Sequence, residues 1–309
     1  MPFPPRTLGF KTSPQHAEWT LLDETWAAAG DLDVFAAGWL NDHLTDMSDA
    51  GGPSLEALTL LGTLVHHVPG LWVGHAVLSN TFRHPAVLAK AATVLDHATS
   101  GRFVLGLGAG WHKPEHRAFG LGLPPIGERI DHLESAVEVL HALFSPEAAT
   151  LPGVTRSDPH YPLEAAINLP PPLTPGGPPI FLGGQKRRGI ALAGRIGDGW
   201  LMPGDRSGDV AYLAGKRDEL LRALEDNGRP PEALTIAGQV ACGESSADRR
   251  SALDQARAMQ EAGATHLILG MAPRLGPDGL RAIAREVAEP LLEAPGWGRR
   301  ARLDRGLGR

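Results

Sequence analysis

A strand-helix-strand unit between Leu71 and Gly122 constrains the fold more than any other stretch of the chain. Residues 71–78 and 103–107 are apolar and partly β-branched, which is typical of strands that are buried on both faces. Between them, residues 85–98 place apolar side chains at three- and four-residue spacing, as an amphipathic helix does. The unit therefore joins two parallel strands through a helix. The second strand leads into glycines at positions where a backbone can approach a ligand closely, namely Gly106, Gly108 and Gly110.

The rest of the chain repeats this alternation. Six more segments have the character of buried strands, and each is followed by a helical pattern: 7–10, 34–40, 179–183, 199–202, 234–241 and 265–269. Ser13 and Ser54 are predicted to cap the first two helices. Eight strands that alternate with helices predict an α/β protein, a (β/α)8 TIM barrel, with an open doubly wound sheet as the alternative.

The 309 residues are predicted to form one domain, since no segment has the composition of a linker. Residues 146–179 contain many prolines and show neither helical nor strand periodicity, which predicts an inserted loop or lid over a site. Residues 296–309 are basic and contain glycine, and we expect a flexible tail there.

Composition excludes several classes of function. Twenty-nine Lys and Arg residues against 35 Asp and Glu give a net charge of -6, so the chain lacks the basic field that binds nucleic acid. No apolar run is long enough to span a membrane, and the first residues lack the pattern of a signal peptide. A single cysteine, Cys242, excludes an intramolecular disulfide framework and a cysteine-rich zinc site. A cytoplasmic protein is expected.

Polar residues follow several of the predicted strands. In a TIM barrel the carboxyl ends of the strands converge at one mouth, so these side chains should lie together: His43, Ser79, Asn80, Trp111, His112 and Gln185. Gly183 and Gly184 stand between a strand and the start of a helix, and basic residues follow. That arrangement predicts an anion site, although it could equally form only a turn beside a solvated basic face.

Two competing motifs fit less well. The glycines after Gly106 lack both the immediate helix and the acidic strand end of a dinucleotide fingerprint, and no Walker A lysine follows. His112 and His116 have helical spacing for a metal, but Pro114 between them places His112 ahead of the helix. A metal-dependent hydrolase stays open as a rival, with His43, His75 and His112 as ligands. The preferred interpretation has no metal ligand.

Several segments together resemble one family over nearly the whole chain. They are Asn41-Asp42-His43, Thr81 to Ala86, Leu95 to Phe103, GLGAGWHKPEH at 106–116, and Phe181 to Gly184 with Gly197-Asp198-Gly199-Trp200. This set resembles the bacterial-luciferase-like monooxygenases, and most closely the branch that uses coenzyme F420, an 8-hydroxy-5-deazaflavin. Relatives that use FMN are the alternative.

The resemblance implies an oxidoreductase that holds a flavin or deazaflavin ring at the barrel mouth and acts on a small organic substrate. His43 matches the histidine near the reactive ring face and is the catalytic candidate. Ala76 and Val77 match a bulge with a non-prolyl cis peptide that supports the ring. The residues implied to bind the cofactor are Asp42, Ala76, Val77, Ser79, Gly108, Ala109, Gly110, Trp111, Gly183, Gly184 and Gln185. The resemblance is compatible with a homodimer.

Two departures from the pattern leave the reaction unassigned. Trp111 stands where sugar-phosphate and alcohol dehydrogenases of this branch have an acidic residue, and Met47 stands where they have a tryptophan four residues after the histidine. The resemblance therefore implies that a proton-donating glutamate is missing. Hydride transfer with another substrate, FMN-dependent oxygenation and a non-catalytic barrel subunit all stay open.

Overall fold

A computed structural model describes residues 2–47 and 52–299, and it confirms the predicted α/β barrel. The strands in chain order are β1 (Thr7–Thr12), β2 (Ala37–Leu40), β3 (Trp72–His75), β4 (Leu78–Ser79), β5 (Phe103–Gly108), β6 (Val154–Arg156), β7 (Leu163–Ala166), β8 (Ile180–Gly183), β9 (Gly199–Leu201), β10 (Thr235–Ala241) and β11 (His266–Gly270).

The barrel is closed by parallel pairings. The order around it is β3, β2, β1, β11, β10, β9, β8 and β5, and β5 pairs again with β3. The short β4 follows β3 after an interruption and also pairs with β5. Because all these strands run in the same direction, their carboxyl ends lie at one mouth.

Helices follow the barrel strands as predicted. They are α1 (Trp19–Asp31), α2 (Ala57–Leu64), α3 (Pro85–Ala98), α4 (Lys113–Ala118), α5 (Ile126–Phe144), α6 (Arg187–Ile196), α7 (Val210–Glu225), α8 (Ser246–Glu261), α9 (Gly276–Ile283) and, after the π-helical segment Ala284–Ala288, α10 (Glu289–Leu291).

The predicted caps of the first two helices are wrong. Helix α1 begins at Trp19, because Gln15 instead forms a bridge with Ser54 and its backbone N–H donates to Ser13 Oγ. Ser54 donates its hydroxyl to the His43 carbonyl, and Glu56 caps α2 by accepting from the Thr59 N–H. Both serines therefore hold the loops at the mouth.

The contribution of the Glu56 cap to stability can be measured. Its carboxylate also pairs with Arg83, and although burial opposes ionisation, these hydrogen bonds lower the pKa of Glu56 to about 2. We expect Glu56→Ala to lower the free energy of unfolding by about 1 kcal/mol at neutral pH, as loss of an N-cap does. Above pH 4.5 Glu56 is ionised in both the folded and the unfolded protein. The difference in free energy of unfolding between the variant and wild type should therefore shrink as pH falls from 4.5 towards 2. Urea unfolding at several pH values measures it, and a difference independent of pH would contradict the assignment.

Large rings fill the amino end of the barrel. Phe3, which precedes β1, packs its ring 5.3 Å from that of Trp72 and 5.2 Å from that of Phe181. Trp39 belongs to the same interior cluster. Aromatic rings thus fill the barrel interior at its amino end, whereas active sites in this fold lie at the carboxyl-end mouth.

The 146–179 segment contains a structure that the sequence did not predict, an antiparallel hairpin of β6 and β7. The hairpin register breaks between Val154 and Arg156, which explains why no alternating pattern is visible. Two contacts hold the segment to the barrel. The Tyr161 hydroxyl lies 3.4 Å from the Asn80 amide nitrogen at the mouth. Thr174 donates from its N–H and its hydroxyl to the Asp96 carboxylate on α3. Its role as a lid stays a prediction.

The predicted tail is described only in part, since residues 300–309 lie outside the described residues. Before them, Trp297 packs against the core and the Arg299 guanidinium pairs with Asp33 at 2.6 Å. Flexibility beyond residue 299 stays a prediction.

Among the described residues, no helix has the length and apolar character that crossing a bilayer requires.

Candidate functional site

His43 stands three residues beyond β2, and its ring is held by a carboxylate. Its Nδ1 lies 3.1 Å from Glu115 Oε2, and Glu115 Oε1 accepts from the backbone N–H groups of Leu44 at 2.5 Å and Thr45 at 3.1 Å. The Glu115 side chain is 1% exposed, against 12% for His43. One buried carboxylate therefore fixes both the histidine ring and the loop that carries it.

The protonation of this pair follows from its contacts. Burial raises the pKa of Glu115, but the hydrogen bonds from His43, Leu44 and Thr45 outweigh it, so the pKa lies below its usual value. An ionised carboxylate only accepts hydrogen bonds, so His43 Nδ1 carries a proton. In the neutral ring Nε2 is then the basic nitrogen, which can accept a proton from a ligand and return it.

Glu115 is the site residue that sequence reasoning missed. It lies in the first turn of α4, and His112 precedes that helix as predicted. The HKPEH motif gave the available signal, because a proline at the second helical position and a glutamate just after it mark a helix start. The expectation that no glutamate serves the site rested on Trp111, and the structure supplies a carboxylate from four positions further along.

Asp42 is fully buried and bound within the protein. Its carboxylate forms a bidentate pair with Arg83, at 2.7 and 2.9 Å, and accepts from the Ser79 N–H at 2.9 Å. These contacts tie the end of β2 to the segment after β3. The predicted contact of Asp42 with a cofactor stays a prediction, since its known partners are all internal.

The cis peptide implied by the resemblance is present between Ala76 and Val77. The bond lies between β3 and β4, and both residues are partly exposed. A Cβ on Gly108 would come within 2.7 Å of Val77 Cγ2, and a Cβ on Gly183 within 3.2 Å of Val77 Cγ1. Glycine is therefore needed at both positions to make room for the Val77 side chain. We call the surface formed by Val77, Gly108 and Gly183 the Val77 platform.

The glycine turn continues this close packing. Gly110 has a φ of 76°, and a Cβ there would come within 2.4 Å of Thr81 Oγ1 and 2.9 Å of Ser79 Oγ. A Cβ on Gly184 would meet the backbone of Gly189 in α6 at 3.0 Å. Gly110 thus leaves room for the hydroxyl groups of Thr81 and Ser79, and Gly184 lets its backbone approach that of Gly189 near the amino-terminal end of α6.

The remaining predicted residues lie around the platform. Ala109 is half-buried, and Gln185 is exposed near Asp205. Trp111 is 62% exposed, and its ring meets that of His43 edge-on with centroids 5.9 Å apart. Met47, the second departure, is also exposed. Trp111 therefore places a large apolar surface directly beside the catalytic candidate.

This surface suits a flavin or deazaflavin ring, because Val77 presents a partly exposed apolar side chain at the barrel mouth, in the room that Gly108 and Gly183 leave for it. A buried Asn80 Oδ1 has no hydrogen-bond partner within residues 2–47 and 52–299, which adds an acceptor at the same strand end.

The metal-ligand set of the rival hydrolase does not assemble. His75 lies on β3 and its Nε2 contacts the Ala57 carbonyl; burial lowers the pKa of His75 to about 4. His116 is bound to Thr81 and to the His112 carbonyl. His43, His112 and Glu115 do bring ligand atoms within 4.8 Å of one another, as do Asp23, His66 and His67 outside the barrel. Donor atoms that could hold a metal are thus present, but in different sets from the one proposed.

Comparison with known proteins agrees with the geometry. The profile of the family described as "Luciferase-like monooxygenase" matches residues 15–299. An F420-dependent glucose-6-phosphate dehydrogenase of Nakamurella multipartita is 32% identical over 72% of this chain and 62% of that protein. An F420-dependent hydroxymycolic acid dehydrogenase of Mycobacterium tuberculosis is 30% identical over 65% of this chain and 58% of that protein.

Solved structures share the fold. An F420-dependent secondary alcohol dehydrogenase in complex with an F420-acetone adduct superposes with a TM-score of 0.76 at 17% identity, covering 91% of this chain and 99% of that one. A monooxygenase from Streptomyces bottropensis gives 0.77 at 16% identity, covering 93% and 99%. The curated relatives are matched over less than two thirds of their own length.

Proposed function

The chain belongs to the luciferase-like monooxygenase family, and from this premise we propose that it is an oxidoreductase that binds coenzyme F420 and transfers hydride to or from a small organic substrate. The Val77 platform carries the proposal, since it offers an apolar support at the barrel mouth and His43 follows the neighbouring strand β2. Names of relatives that mention F420 support the choice of cofactor over FMN. A cytoplasmic site of action, the absence of nucleic-acid partners and a homodimer stay predictions.

The residues around the mouth would have two roles, binding of the cofactor and transfer of a proton. Ala76 and Val77 would support the ring, and Gly108 and Gly183 leave room for the Val77 side chain that does so. Gly184 and Gln185, at the start of α6, would face the anionic tail, since a helix amino end favours negative charge. When bound, the deazaflavin supplies the hydride chemistry, and the protein orients and shields it.

His43 would accept or donate the proton that accompanies hydride transfer. Glu115 holds its Nδ1 proton and leaves Nε2 basic, so the ring can carry a proton without turning. Trp111 and the 146–179 segment would exclude water from this space. In our proposal a histidine–glutamate pair takes the place of the proton-donating glutamate that the resemblance implied to be missing.

Oxygen dependence separates the proposed reaction from FMN-dependent oxygenation. We expect the protein to oxidise the reduced coenzyme F420, or reduce its oxidised form, with a panel of ketones and secondary alcohols under argon. An oxygen electrode should record no substrate-dependent oxygen uptake. Turnover that requires both FMN and oxygen would instead establish the alternative, and binding without turnover would favour a non-catalytic subunit.

A further inference from the structure

A cavity of about 520 Å³ lies on the side of the barrel mouth away from the Val77 platform. It is bordered by the ends of β1, β10 and β11 and by the start of α8. The platform is formed by β3, β5 and β8, and two strands separate it from the cavity: β2 lies between β1 and β3, and β9 lies between β10 and β8. His43 follows β2, one of these two strands. The volume is in the range that small-molecule sites occupy.

Strand alternation points Lys11 into the barrel mouth. A Cβ on Gly9 would meet the interior side chains of Trp39 and His266, so Gly9 faces inward and Lys11, two residues on, faces the same way. Gln239 follows the interior residue Ala237 by the same spacing. The Lys11 ammonium donates to Gln239 Oε1 across β11, where Gly270 offers no side chain. The two residues form one polar wall of the cavity.

Lys11 brings a positive charge to this wall that no carboxylate neutralises. Throughout residues 2–47 and 52–299, no Asp or Glu oxygen lies within ion-pair distance of its ammonium. The other titratable groups that line the cavity are Asp248 and Cys242. Asp248 already accepts from the Ser245 N–H and hydroxyl in a capping box, and burial raises the pKa of the Cys242 thiol to about 12. At neutral pH Cys242 is therefore uncharged.

Gln239 is fixed in a way that suits recognition. It is 3% exposed, its amide nitrogen donates to the Met202 carbonyl, and its oxygen receives Lys11. The amide therefore holds the ammonium at the cavity without cancelling its charge. Ser207, Ser251 and Gln255 supply further neutral polar groups on the lining.

We propose that this cavity is the substrate site and that it takes an organic anion, a carboxylate or a phosphate ester, whose negative oxygen pairs with Lys11. That the bound anion is the substrate rests on the proposed function, whereas the binding of an anion at Lys11 does not. Desolvation without a counter-charge also lowers the pKa of Lys11 to about 8, which is the expected behaviour of a site that is completed by its ligand.

Matched ligand pairs test the charge requirement. The full chain without cofactor is titrated with lactate against propane-1,2-diol and with glycerol 3-phosphate against glycerol, by calorimetry and by thermal shift. The anions are expected to bind and their neutral partners not to; which anion binds distinguishes a carboxylate from a phosphate site. Affinity should fall roughly tenfold per pH unit above about 8, as Lys11 loses its proton. Equal binding of charged and neutral partners overturns the proposal.

Variants locate the effect at Lys11. Lys11→Met and Lys11→Gln should weaken anion binding at least tenfold, while Lys90→Met on the exposed face of α3 should not. Without ligand, the melting temperature of Lys11→Met should equal or exceed that of wild type, because a partly buried charge without a counter-charge is removed. If Lys11 served only to stabilise the fold, the melting temperature of the variant would be lower. Unchanged anion affinity in both Lys11 variants overturns the proposal. A loss of F420 affinity in these variants, with anion binding retained, also overturns the proposal, since Lys11 would then belong to the cofactor site.

Discussion

Replacing Glu115 by glutamine is expected to slow turnover about 100-fold or more while cofactor affinity stays within about twofold of wild type. The carboxylate serves three donors, His43 Nδ1 and the N–H groups of Leu44 and Thr45. A glutamine has only one oxygen, and its NH₂ group would face a donor, so at least one of these hydrogen bonds is lost. The His43 ring then loses the contact that fixes its orientation. Proton transfer by a positioned side chain contributes about 10²- to 10⁴-fold to rate.

The test separates turnover from binding. Single-turnover rates and cofactor dissociation constants are measured for Glu115→Gln and for Glu134→Gln, which removes a carboxylate paired with Arg195 on the protein surface. The control should match wild type in both quantities. A Glu115→Gln variant with wild-type turnover would rule out the histidine–glutamate pair as the proton-handling device.

Placing a methyl group at Gly108 is expected to weaken cofactor binding by roughly 5- to 150-fold. The added Cβ would lie 2.7 Å from Val77 Cγ2, so Val77 must move away from its position beside Gly183. Overpacking of this kind costs about 1–3 kcal/mol, and that range in binding free energy corresponds to the stated change in affinity. The platform is distorted even though no polar contact is removed.

Gly122→Ala is the matched control, because a Cβ there meets nothing within 4 Å. The double variant Gly108→Ala with Val77→Ala removes the colliding methyl group and should recover part of the affinity lost by Gly108→Ala alone. Fluorescence titration of the cofactor measures all four proteins. If Gly108→Ala binds as tightly as Gly122→Ala, the cofactor ring does not rest on Val77.

The barrel was predictable because its signal is local. Each strand is apolar through its length and each helix carries one apolar stripe, so strand 103–107 and helix 85–98 could be placed from their own residues. The hairpin within 146–179 was not predictable, because its short strands are exposed or half-exposed at every residue but Leu163 and are irregular in register. Local hydrogen bonding also decided the caps, where Glu56 replaced Ser54.

The site was predictable only where one motif supplied it. His43 and the Ala76-Val77 bond came from the resemblance, and the bond is confirmed. Glu115 reaches back 72 positions to His43, and Lys11 reaches forward 228 positions to Gln239. Such pairs depend on which strand ends meet in space, and no spacing in the sequence encodes that. That the glycines bind the cofactor stays a prediction, and the side chain that requires glycine at positions 108 and 183, Val77, is visible only in the folded chain.

Direct titration with the cofactors tests the central claim. Oxidised and reduced coenzyme F420, and separately FMN, are added to the full chain while cofactor fluorescence and absorbance are followed. We predict saturable binding of one F420 per chain, tighter than FMN, weakened by Gly108→Ala and unaffected by Gly122→Ala. Failure of both cofactors to bind in either redox state would contradict the account.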